Sequence, residues 1–213
     1  MFLSRLVISD FRNLEMLDFN PAPGFNVIYG PNGSGKSSVL EAVSYLALGR
    51  SFRGYNYQYL IKNGRKSFSV FASVNENHAA LTDNIGIAKG RGEDLQIKIN
   101  GSKVQRLIDL VDKICVQIIH PQGIELVTQG PELRRNFIDW GVYYSEPKFK
   151  DLWFNYKKVI KQRNILLKSK ASDFEISVWD DLLSSLSEKI DEFRCSYLEK
   201  LNDFLSAQCE QFL

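Results

Sequence analysis

Cysteine is scarce in this chain. There are three, Cys115, Cys195 and Cys209, and no two are spaced as CxxC. A disulfide framework and a zinc site are both disfavoured, and buried, reduced thiols are the expectation. The two histidines, His78 and His120, lie far apart in sequence and suggest no metal site. Long apolar runs are missing: none approaches the roughly 20 residues of a membrane span. The opening MFLSRLVISDFRN alternates and carries charge early, so it reads as a strand and not as a signal peptide. A soluble, cytoplasmic protein with no membrane association is expected. An excess of one charge is also lacking. With 27 basic and 25 acidic residues the net charge is +2, which does not mark a nucleic-acid binder. What the chain has is apolar mass: 44% hydrophobic and 12% aromatic residues over 213 positions. That is enough to bury the core of one large domain or two small ones.

Three short strands are expected before residue 30. FLSRLVI and LEMLDF alternate around the polar turn SDFRN, and FNVIY, after PAPG, is a continuous apolar run suited to a buried strand. From Lys36 the positions Val39, Leu40, Val43, Leu46 and Ala47 keep a helical period, with Gly49 as the stop. SFSVFASV and DLQIKING read as strands, with a hairpin turn at Asn100-Gly101, and KICVQIIHP as a further strand closed by Pro121. Past about residue 130 the pattern turns helical. Ser145 and Pro147 announce a helix running from Phe149 to Leu167, KSKASD breaks it, and a second long helix runs from Trp179 to Leu205. Charge is segregated between these two: residues 148–170 carry a net +7 and residues 171–213 a net −7.

Between the FNVIY run and the first helix lies GPNGSGKSS, residues 30–38. It fits G-x-x-x-x-G-K-[ST], with Gly30, Pro31, Asn32, Gly33, Ser34, Gly35, Lys36 and Ser37 in order and Ser38 following. The chemistry demands this composition. Backbone N–H groups must converge on phosphate oxygens, and a Cβ would block their approach. The helix that follows points its positive end at the same phosphates. Lys36 would reach the β- and γ-phosphates of ATP, and Ser37 would hold Mg²⁺. Hydrolysis needs more, since an acid must hold the metal and orient water. Asp109 in RLID and Asp139 in NFID follow only two apolar residues, too few for a buried parallel strand. LSSL at 183–186 lacks the glycines of an ABC-type signature, and the DxxG formed by Asp83–Gly86 is followed by no N-K-x-D. The chain therefore carries half of a hydrolytic site, and is expected to lack hydrolysis and to stop short of the remaining half.

LVISDFRNLE, GPNGSGKSSVLEAVSYLALGRSFR, IIHPQGIELVTQGPELRRNFIDWG and YKKVIKQRNILLK together resemble the N-terminal portion of the bacterial RecF family, over most of residues 1–170 and in the same order. The resemblance implies an α/β fold: an incomplete P-loop ABC-type ATPase lobe over residues 1–120 and a helical second lobe, a helical hairpin, over residues 121–213. It implies a slow ATPase related to the SMC proteins that uses ATP and Mg²⁺ and dimerises when ATP is bound. It implies binding to double-stranded DNA and to single/double-strand junctions. The family acts with RecO and RecR to load RecA in single-strand gap repair, replication restart and SOS induction. By the same resemblance Arg12 and Asn13 form a turn beside the nucleotide, and Gln117 or Gln122 senses the metal.

Other charged residues have two readings each. Arg50, Arg53, Lys62, Arg65 and Lys66 could meet a DNA backbone or face solvent. Lys150, Lys157, Lys161 and Lys168 line up on one helix face, either as a phosphate-binding stripe or facing the acidic helix that follows. Arg163 falls in the apolar stripe and needs a partner, either a carboxylate such as Asp139 or backbone carbonyls. Arg134 and Arg135 could contact DNA or staple the lobes. Trp140, Trp153 and Trp179 are read as core residues. Two rival functions remain: a self-contained P-loop kinase or GTPase, which needs its own acidic or base-recognition motif, and an SMC-like structural ATPase head, which needs sustained heptads.

Overall fold

The computed structural model describes residues 1–54, 56–75, 81–119 and 121–212, with the side chains at 121, 122, 211 and 212 outside that set. His78 and His120 lie outside the described residues. The chain divides into two compact units, Met1–Ile119 and His120–Leu213.

The first unit is a six-stranded antiparallel sheet covered by one helix. The strands are β1 (Phe2–Phe11), β2 (Leu14–Phe19), β3 (Ser67–Asn75), β4 (Thr82–Gly90), β5 (Gln96–Ile99) and β6 (Ser102–Val104), in the order β2-β1-β3-β4-β5-β6. Register follows side-chain alternation. Ile8 pairs with Val70, Val70 with Ile87 and Ile87 with Ile97, so four buried aliphatic residues form one row across the sheet. Helix α1 (Lys36–Leu48) lies on that face and contributes Ala42, Tyr45 and Leu46 to the core. Phe11, Tyr45 and Phe68 meet edge to face, with both Phe68 contacts at 5.1 Å between centroids, tying α1 to β1 and β3. A short helix α2 (Ile108–Val111) seats Leu110 in the same core.

Two expected strands do not form. Residues 25–29 belong to no strand; Phe25, Val27 and Tyr29 are exposed, and Asn26 instead closes a turn with Ala22 and Gly24. An apolar run becomes a strand only where a neighbour supplies hydrogen bonds, and none of the six strands pairs with it. KICVQII likewise belongs to no strand, although Ile114 is buried. Conversely β4 forms where no strand is expected, because Gly86 and Gly90 dilute its alternation of Ile85 and Ile87. The cysteines also differ from expectation: Cys115, Cys195 and Cys209 are all exposed, because their positions lie on the outer faces of their segments and not in either core cluster.

The second unit is helical. It comprises α3 (Glu125–Thr128), α4 (Pro131–Ser145), α5 (Pro147–Lys168) and α6 (Asp173–Phe212). Pro131 and Pro147 open α4 and α5 at the first turn, where a missing N–H costs nothing. Val142, Phe149 and Ile190 form the buried centre, joined by Trp153, Tyr156, Phe193 and Tyr197. Gly141 is required by packing: a Cβ there would lie 2.2 Å from the Tyr197 hydroxyl. Trp140 and Trp179 are half-buried outside this cluster. Arg163 pairs with Asp180 on α6, not with Asp139, which is held by Arg194 at 2.7 and 3.1 Å. Partner choice follows helix packing, which places Asp139 and Arg194, 55 residues apart, in contact. Among the described residues no helix is long and apolar enough to cross a membrane.

Candidate nucleotide site

The glycine-rich segment of residues 30–37 forms the N-terminal approach to α1. Gly30, Gly33 and Gly35 all take positive φ, at 150°, 82° and 99°. Gly35 accommodates a side chain only with strain. It is the N-cap of α1 in the left-handed region, and a Cβ would sit 2.6 Å from Leu14 Cδ2 and 3.2 Å from the Asn13 amide. Among the described residues no side chain caps the first N–H groups of α1, so they are available to an anion. Lys36 Nζ donates to the carbonyls of Gly30 at 2.8 Å and Pro31 at 2.7 Å, which keeps the ammonium over the loop.

The turn between β1 and β2 closes on this loop. Asn13 Nδ2 donates to the Gly33 carbonyl at 2.7 Å, while its Oδ1 accepts from Ser38 Oγ at 2.9 Å. Asn13 thereby spans from the middle of the loop to the first turn of α1. Arg12 takes φ 55°, and its N–H donates to the Leu60 carbonyl at 2.7 Å. Its guanidinium donates to Glu41 from Nε at 3.0 Å and Nη2 at 2.6 Å. Glu41, on α1, has no exposed surface. The sequence pattern placed Leu40 on the buried face of α1, yet Leu40 is 57% exposed and Glu41 is the residue inside. Its signal was available: Glu41 is the one charged residue in α1 after Lys36.

These residues surround an open cleft of about 630 Å³, lined by Arg12, Asn13, Lys36, Ser37, Ser38 and Arg53, and also by Gln58, Tyr59, Asn63 and Arg91. A nucleoside triphosphate and its magnesium fit this donor set: a glycine cradle, one ammonium, three arginines and a serine hydroxyl. No Asp or Glu lines the cleft among the described residues. Gly30, Pro31 and Ser34 face a second, apolar groove with Leu14, Leu17, Val27 and Tyr29, and Asn32 is exposed outside both. Gln117 does not line the cleft; its amide lies 3.5 Å from the Ile118 carbonyl. The side chain of Gln122 lies outside the described residues.

Most of the basic set after α1 is already engaged. Lys62 and Arg65 hold Glu15, Arg65 also holds Asp10, and Arg53 approaches Glu41. The pairing depresses the Glu15 carboxyl below its usual range, through the hydrogen bond from Lys62 first. Arg134 donates to the carbonyls of Leu126 and Gln129, closing the turn between α3 and α4. The stripe on α5 is open: Lys157, Lys161 and Lys168 are exposed and form no ion pair with α6 among the described residues. Lys157 lies over the Trp153 ring, 4.9 Å from its centroid.

Comparison with known proteins agrees with the geometry. A family model described as the RecF/RecN/SMC N terminal domain matches residues 2–188. The DNA replication and repair protein RecF of Aliivibrio fischeri (strain MJ11) is 44% identical over 213 residues, covering the whole of this chain and 59% of the relative. RecF of Vibrio cholerae is 44% identical over 217 residues, again covering all of this chain and 60% of the relative. A solved structure of the recombination mediator protein RecF-ATP in the RecFOR pathway superposes with a TM-score of 0.90 at 29% identity, covering 99% of this chain and 58% of that one. A structure from work on ATP-driven dimerization of SMC ATPases shares the fold at a TM-score of 0.55 and 21% identity, covering 66% of this chain and 99% of that one. The RecF resemblance seen in the sequence and the mixed α/β ATPase-head fold are both borne out.

Proposed function

The chain belongs to the RecF/RecN/SMC N-terminal domain family, and from that premise we propose that it is the nucleotide-binding part of a RecF-type DNA-repair ATPase. The observation that carries this reading is the glycine loop at the start of α1, closed by Asn13 and faced by Arg12. The chain spans 59% of the length of the Aliivibrio relative, so the activity of a whole protein is part of the proposal.

ATP with Mg²⁺ supplies a polyanion and a cleavable phosphoanhydride. The chain's own residues bind and orient it. The loop N–H groups and the first turn of α1 donate to phosphate oxygens, Lys36 adds a point charge, and the Ser37 hydroxyl offers a metal ligand. Arg12 and Arg53, which line the cleft, would add positive charge beside the phosphates. Asn13 keeps the loop in register with α1. Among the described residues no carboxylate lines the cleft, and hydrolysis would need an acid to hold the metal and orient water. The exposed run at 25–29 is available to strands from the remaining length that the relatives have. A second head would close over the nucleotide-loaded cleft, giving a nucleotide-dependent homodimer. Lys157, Lys161 and Lys168 offer phosphate contacts to double-stranded DNA or a strand junction. RecO- and RecR-type mediators, RecA loading, SOS induction and a cytoplasmic location complete the reading.

Titration of the chain with fluorescently labelled ATP and Mg²⁺ tests it. Saturable binding that is abolished in Lys36→Ala is the expected result. Binding unaffected by Lys36→Ala would place the nucleotide elsewhere and refute the assignment.

A further inference from the structure

Glu41 is an acid with no exposed surface, placed on the helix that carries the phosphate loop. It gathers three separate pieces of chain. Arg12 comes from the turn after β1, bound through Nε and Nη2. Ser51, from the loop after α1, donates its hydroxyl to Glu41 Oε1 at 2.5 Å. Arg53 approaches Oε2 at 3.8 Å, and its own N–H donates to Ser51 Oγ at 2.9 Å. We infer that Glu41 is a positioning residue, one that holds the Arg12 and Arg53 guanidinium groups at the cleft for the phosphates of a nucleoside triphosphate. The inference rests on the nucleotide reading above and deepens it.

Burial is divided unevenly across the cluster, and this favours positioning over stability alone. The carboxylate is hidden, whereas the Arg12 side chain is 26% exposed and that of Arg53 50%. Both arginines line the cleft and Glu41 does not. A buried ion pair is weak evidence for stability, because desolvation offsets most of the attraction. This one is arranged so that the acid faces the core and the cations face the ligand. One carboxylate beneath two guanidiniums leaves a net positive charge at the cleft wall. The Nε and Nη2 edge of Arg12 is used inward, which leaves the Nη1 donors of the planar fork for a second acceptor. The backbone is committed as well: Arg12 sits at φ 55° with its N–H fixed to Leu60, and such strain persists only where surroundings over-determine it. An arginine held this way has lost its rotamer freedom before the ligand arrives, so binding does not pay for it again.

A double-mutant cycle on the whole chain tests this. The affinity for fluorescently labelled ATP with Mg²⁺ is measured for the wild type, Glu41→Gln, Arg12→Ala and the double variant, with urea midpoints recorded in parallel. Each single variant should weaken binding about tenfold, the scale of one charge-assisted hydrogen bond. The double variant should lose less than the two single losses combined, because Glu41 acts through Arg12 as well as through Arg53. A structural role would lower the urea midpoint and leave the binding effects independent. Glu41→Gln that folds and binds like the wild type overturns the inference, as do additive losses in the double variant. If Glu41→Gln does not fold, Arg12→Lys decides: it keeps a cation against the acid but loses the fork, and unchanged affinity overturns the inference. Loss of binding in Lys36→Ala with none in a folded Glu41→Gln would reject this inference alone. A folded wild type that binds no labelled ATP would reject the nucleotide reading and this inference with it.

Discussion

Val27→Asp is a sharp test of the run at 25–29. Fully burying a valine contributes about 1.5–3 kcal/mol. Val27 keeps 83% of its surface exposed, so replacing it forfeits less than a fifth of that, under about 0.5 kcal/mol. Val70, at 1% exposure in the central row of the sheet, is the control. An aspartate there loses the whole transfer term and buries a carboxylate, a cost above about 4 kcal/mol that should unfold the first unit. The two units can be read separately. Trp140, Trp153 and Trp179, the only tryptophans, all lie in the second, so their fluorescence follows that unit in urea. Hydrogen exchange at the β3 amides follows the first. Val27→Asp should leave both unchanged within about 0.5 kcal/mol. Sedimentation equilibrium adds a second readout, since exposed Phe25, Val27 and Tyr29 should make the wild type self-associate and the charge should weaken that association. A loss of 2 kcal/mol or more in β3 protection, on the scale of a buried valine, would refute the reasoning and show that the run is packed as a strand.

Gly35→Ala places a Cβ at φ 99° and against Leu14; it should cost about 1–3 kcal/mol in urea unfolding and weaken labelled-ATP binding, and a neutral result would contradict the loop geometry. Arg194→Leu leaves Asp139, only 15% exposed, without its bidentate partner, and should lower the second unit's stability by about 1–3 kcal/mol in tryptophan-monitored unfolding. Burial pushes the Tyr45 hydroxyl up to about 12. The unfolded chain gives up that proton near pH 10 while the folded one keeps it, so stability is intact below about pH 10 and falls between about pH 10 and 12; Tyr45→Phe should flatten that part of a pH series of urea midpoints. Multiple-turnover phosphate release from ATP should be undetectable for this chain, and turnover that Lys36→Ala removes would mean that an acid reaches the cleft from within it.

The sequence by itself determined what depends on neighbouring residues. The glycine loop is legible because its requirements are local: a backbone that turns through positive φ needs glycine at fixed offsets, and Lys36 and Ser37 follow in the adjoining turn. The limits of α1 are local too, with Gly35 and Gly49 both in the left-handed region at its ends. The same holds for Pro131 and Pro147 at the starts of α4 and α5. Tertiary structure decided everything that needs a partner from elsewhere in the chain. FNVIY and KICVQII have strand composition but no paired neighbour among the described residues, whereas β4 forms despite its glycines because β3 and β5 flank it. Arg163 needed a carboxylate on any reading, yet only helix packing selects Asp180 and leaves Asp139 to Arg194. The same reason hid Glu41. A lone acid in an apolar helix is visible in the sequence, but what makes it tolerable is Arg12, 29 residues earlier, folded back across the helix that carries the loop.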